Sequence, residues 1–136
     1  MSTAHSIGKH RVFEEDDLIR VVWDGDATLA ELQAIMAVPA RFYELHGHCL
    51  LLFDLRRAQT GRENHRRWLT DWSRERPRLR LASFGASLLI RTLVLLVNRA
   101  AQMFNKQVQD AYFFSTEQEA REFLAAERTR LQRVTG

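Results

Sequence analysis

The chain has 136 residues, of which 46% are apolar, and carries a net charge of +3 from 20 basic and 17 acidic residues. That length is one domain, long enough to bury roughly two-thirds of the unfolded chain's surface, and the apolar share is ordinary for a soluble globular protein. A lone cysteine, Cys49, excludes an internal disulfide. The N-terminus lacks an apolar signal core, and the most apolar run, Ala86 to Val97, is interrupted by Arg91 and falls short of the roughly 20 residues a membrane span needs. A soluble, cytoplasmic protein with no transmembrane segment is expected.

Residues 1–9 read as a disordered start, and residues 10–133 as a single domain. HRVFEE and LIRVVWDG are two β-prone runs separated by Asp16 and Asp17, and they read as a hairpin. Thr28 then opens a helix with Glu31 three residues on, the spacing of a capping box. Leu29, Leu32, Ile35 and Met36 follow helical periodicity. Pro39 is expected to kink or restart that helix, since it has no N–H and its ring clashes with the preceding turn. Gly47 is its expected stop.

Cys49 to Leu55 is a continuous apolar run broken only at Asp54, the pattern of a central strand covered on both faces. Its cysteine reads as buried and inert. The following helix carries His65, Trp68, Leu69 and Trp72 on one side and ends before Pro77. Leu79, Leu81 and Phe84 mark another strand that stops at Gly85. Ser87 is placed to cap a long helix reaching about Asn105. Val108 to Phe114 reads as the last strand, and Ser115–Thr116 begins a final helix with Ala120, Phe123, Leu124, Glu127 and Leu131 along one side. The order ββαβαβαβα implies an α/β fold with a mixed, mostly parallel five-stranded sheet and about four helices.

Three local patterns in that order resemble the STAS fold, and the SpoIIAA-like proteins in particular. They are the strand CLLLFDL with Asp-Leu at its end, the turn and helix FGASLLIRTLVLLVNRA, and the closing strand and capped helix AYFFSTEQEAREFLA. The resemblance covers roughly residues 10–130. It implies a regulatory protein that binds a protein partner, is not an enzyme, and needs no cofactor. In that family a serine after the Asp-Leu strand, in an Asp-Ser-Ser-Gly context, is the phosphorylation switch. Here that context is absent, and Thr60-Gly61 stands nearby.

Thr60 has a structural reading available, because Thr60-Gly61-Arg62-Glu63 is itself a capping box. The functional alternative is a regulatory anion site made of Asp54, Arg56, Arg57, Thr60 and Arg62, where a helix N-terminus and arginines would hold phosphate. Nine arginines stand between Arg56 and Arg80 against three acidic residues. No nucleic-acid fold accompanies them, so nucleic acid is not the expected partner. His46 and His48 are too few for a metal site, and no metal is expected. No nucleophile–base–acid grouping and no Gly-rich phosphate loop is present.

The helix from Ser87 is apolar around most of its girth. Core packing combined with a homodimer contact is its expected use, with Trp68, Trp72, Leu89, Leu93, Leu96 and Val97 as interface or ligand residues. The alternatives are a cavity for a small apolar or amphipathic ligand carried or sensed by the protein, or contact with a membrane.

Overall fold

The computed structural model describes residues 3–59, 65–104 and 112–135. Its elements are β1 (Thr3–Ile7), β2 (His10–Glu15), β3 (Leu18–Gly25), α1 (Leu29–His46), β4 (Cys49–Ala58), α2 (Arg66–Arg74), β5 (Leu79–Phe84), α3 (Leu88–Phe104), β6 (Phe113–Phe114) and α4 (Glu117–Thr135). One six-stranded sheet holds them in the order β1-β2-β3-β4-β5-β6. The pairs β1–β2 and β2–β3 are antiparallel, and β3 to β6 run parallel. The α/β class expected from the sequence is present, with one strand more than expected.

The added strand is β1, which corrects the reading of the first residues as disordered. Ile7 pairs with His10, so Gly8 and Lys9 form a two-residue hairpin loop. Gly8 sits at φ +59, the left-handed region, at the first loop position. That conformation twists the backbone in the sense a hairpin requires, and glycine adopts it without steric cost. The β2–β3 hairpin is closed by Asp16 and Asp17 between the paired Glu15 and Leu18; here Asp16 takes the positive φ of 54.

Alternation along the strands sorts side chains onto two faces. Ile19, Val21 and Trp23 of β3 join Cys49, Leu51 and Phe53 of β4 beneath α1 and α2, which add Leu32, Ile35, Met36 and Trp72. On the other face Leu50, Leu52, Ala82 and Phe84 meet Ala120, Leu124 and Leu131 of α4. A strand buried on both faces must be apolar throughout, which is why β4 begins CLLLF. The indole Nε1 of Trp23 is buried without a hydrogen-bond partner among the described residues.

The helix ends follow their sequence signals. Thr28 Oγ1 accepts from the Glu31 N–H at 3.1 Å, and Glu31 Oε1 accepts from the Thr28 N–H at 2.9 Å. Gly47 closes α1 at φ +79, its N–H donating to the Tyr43 carbonyl. Ser87 Oγ accepts from the Ile90 N–H, and Thr116 Oγ1 from the Glu119 N–H. Pro39 does not restart α1, which runs unbroken from Leu29 to His46 with Pro39 buried inside it. One backbone hydrogen bond is lost there, and packing of Ile35, Met36 and Pro39 on the sheet holds the helix across the gap.

Arginines bind α4 to the β2–β3 hairpin. Arg128 donates to both Asp17 oxygens at 2.6 and 2.7 Å, and Arg121 reaches both Glu15 oxygens at 3.2 Å and Glu117 at 2.8 Å. His48 Nε2 lies 3.3 Å from Asp17. Burial works against the Asp17 and Glu15 carboxylates, but hydrogen bonds and charge from their arginines, and from His48 at Asp17, outweigh it and lower both pKa values.

Candidate functional site

The C-terminal ends of the parallel strands hold the first candidate site. At the end of β4, Asp54 is only 3% exposed. It accepts from the Arg56 backbone N–H at 3.1 Å, from Arg56 Nε at 3.0 and 3.2 Å and from Nη2 at 2.7 Å. Burial raises the Asp54 pKa, but the Arg56 hydrogen bonds and charge prevail and bring it below the ordinary aspartate value. The carboxylate therefore stays ionised at neutral pH, held by Arg56.

The Arg56 guanidinium also stands 5.4 Å from the ring centre of Phe84. Its stem lies against Gly85, where an added Cβ would run into Arg56 Cγ. Gly85 has φ +74, so glycine serves both the turn into α3 and the close approach. The sequence marks Gly85 as a strand stop; its second role, as the floor under Arg56, depends on the parallel pairing that puts Asp54 beside Phe84. The Arg57 side chain, 73% exposed, reaches Asp24 at 3.7 Å. Asp54, Arg56 and Arg57 thus share one corner. Thr60 and Arg62 lie outside the described residues, as does the Thr60–Glu63 capping box.

The arginine run is largely occupied by the protein itself. Arg74 meets Asp71, and Arg76 meets Glu75 and lies 4.4 Å from the Trp72 ring centre while donating to the Trp72 carbonyl. Arg78 donates to the carbonyls of Gly47 and Leu131, and Arg80 to those of Pro77 and Leu79. These contacts tie α1, α2, β5 and α4 together. The signal for them, an arginine beside a helix end, does not reveal its distant partner.

His65 Nε2 lies 2.6 Å from the Ala27 carbonyl, a hydrogen bond that fastens the start of α2 to the turn before α1. Trp68 and Trp72 stack at 6.4 Å and pack into the core beneath α1 and α2. Cys49 is fully buried, and burial together with the Asp17 charge pushes its thiol up to about 12. It is therefore no nucleophile at physiological pH. No group of three metal-ligating side chains occurs among the described residues.

The second candidate site is α3. The sequence expects its leucines to be shared between core and interface, and the structure turns many of them outward. Leu88 is 79% exposed, Leu89 and Leu96 61% each, and Met103 84%. No described α3 side chain belongs to either core cluster. For Leu93 and Val97 the description stops at the backbone. Exposed apolar side chains concentrated on one helix mark a contact surface more often than scattered ones do. No described helix is long and apolar enough to cross a membrane.

No protein family model matches the chain, and no curated protein matches it.

Proposed function

We propose that this protein is a non-enzymatic, STAS-like interaction module that regulates by binding, with α3 as its principal contact surface. The observation that carries the reading is the outward face of α3: a folded domain leaves Leu88, Leu89, Leu96 and Met103 open to water. Uncovered apolar area of this kind is stabilised by a binding partner. The corner formed by Asp54, Arg56 and Arg57 supports the same reading as a second, polar contact, since its arginines are exposed while their acids hold them in place. It lies at the end of the Asp-Leu strand, where the resembling family keeps its switch.

A homodimer is the second reading, favoured by the exposure of Leu89 and Leu96. The ligand-carrier alternative draws less support, because Trp68 and Trp72 pack into the core with α1 and the sheet.

The test is a photo-crosslinking amino acid placed at Leu96 in the native host, with Glu122 on the exposed side of α4 as control. Specific adducts from position 96, absent from position 122, are expected. No adduct from position 96, to protein or to lipid, would sink the docking reading.

A further inference from the structure

The charge of α3 narrows what covers it. From Arg76 to Gln109 the chain holds five arginines and one lysine, and no aspartate or glutamate. Within α3 the charges are Arg91 and Arg99, both exposed. No carboxylate among the described residues pairs with either, whereas Arg56, Arg57, Arg121 and Arg128 each have one. At about 100° per residue, Leu88 and Leu95 form one row on the open side, and Leu89, Leu96 and Met103 form a second. Arg99 and Thr92 fall between the rows, and Arg91 flanks the first. The two leucine rows span about 120° with Arg99 inside them, and Arg91 extends this open side to about 160°.

We infer that α3 docks on an anionic lipid bilayer surface. This inference rests on the docking reading of α3 given above. Leucines inserted at the headgroup boundary bury their apolar area, and long arginine stems let the guanidinium groups reach lipid phosphates from the same face. A second copy of the chain fits less well: apposing two α3 helices brings four arginines together with no carboxylate on either helix. A protein partner also fits less well, because the energetically dominant side chains of protein interfaces are enriched in tryptophan, tyrosine and arginine and poor in leucine, and of the enriched types α3 offers only its two arginines among exposed leucines.

The experiment is gradient flotation of the full chain with vesicles, comparing phosphatidylglycerol–phosphatidylcholine mixtures with pure phosphatidylcholine. Binding to the anionic vesicles is expected at 0.1 M salt, weakened at high salt as screening shortens the attraction. Replacing both arginines, R91Q with R99Q, is expected to lower the partition coefficient roughly thirty-fold, since each base contributes about a factor of five at an anionic surface. Leu89→Ser with Leu96→Ser should also release the protein while its circular dichroism stays unchanged.

Failure to float with anionic vesicles would overturn the inference, as would binding that survives the arginine replacements. Position-96 adducts to protein without flotation would overturn the lipid surface and keep the docking reading. A dimer by light scattering, with no flotation, would assign the cover to a second copy. A monomer with neither flotation nor adducts would end both.

Discussion

Two leucine truncations separate the packed helix from the open one. Leu124 of α4 is fully buried, while Leu96 of α3 is 61% exposed. Leu124→Ala removes three buried carbons and leaves a cavity, a change that costs about 2–5 kcal/mol in packed cores. For Leu96 the burial lost is about two-fifths of a leucine's roughly 1.5–3 kcal/mol. Alanine returns a few tenths through its helix propensity, so the net loss is about 0.3–0.9 kcal/mol. At about 3–5 °C per kcal/mol for a domain of this size, Leu124→Ala should lower Tm by roughly 6–25 °C and Leu96→Ala by about 1–4 °C. Urea titration checks both, with an unchanged slope showing that the unfolding reaction is the same. Equal losses would refute the reasoning, because α3 would then be buried in the free protein. A Leu96→Ala effect that grows with protein concentration would place that burial in a dimer.

Cys49 should resist iodoacetamide at pH 8 in the native protein and react only on unfolding, because its thiol titrates at about 12; mass spectrometry of the alkylated chain reads this directly. Gly85→Ala should cost about 1–2 kcal/mol, as left-handed backbone is strained for any residue with a Cβ, and Arg56 should be displaced as well; urea titration gives the first and the Asp54 carboxyl NMR shift the second. Asp17 has a folded pKa below its ordinary 3.8, so the stability its ionised form contributes is fully present above that value and is lost as pH falls through the lowered one. Melting curves between pH 7 and 3 should therefore decline at the acid end, and Arg128→Gln should flatten that decline by removing the partner that holds the pKa down.

Much of the fold was legible because its signals are local. The runs HRVFEE and LIRVVWDG are β2 and β3. Thr28 with Glu31, Gly47, Ser87 and Thr116 with Glu119 each mark a helix end that the backbone uses. β1 was missed because its residues carry little apolar alternation, and its turn signal is only the dipeptide Gly8-Lys9. Pro39 misled only as to a restart of the helix, since its local cost is outweighed by burial that depends on the whole sheet.

The site was legible in part. Asp54 at a strand end was visible, but its hold by Arg56 over Gly85 and Phe84 appears only once β4 and β5 pair in parallel. The outward face of α3 could not be read from periodicity, because an apolar helix shows the same pattern whether its second face meets a core, a copy or another surface. The packing of α4 was equally hidden, because it covers β4 and β5 and its arginines reach acids more than a hundred residues away in sequence.

The docking role of α3 is tested most directly by maleimide labelling of a Leu96→Cys variant, since the native Cys49 is silent. The account predicts rapid labelling of the purified protein and protection in intact cells, where the cover is present. Slow labelling of the purified protein, or equally rapid labelling in cells, would contradict it.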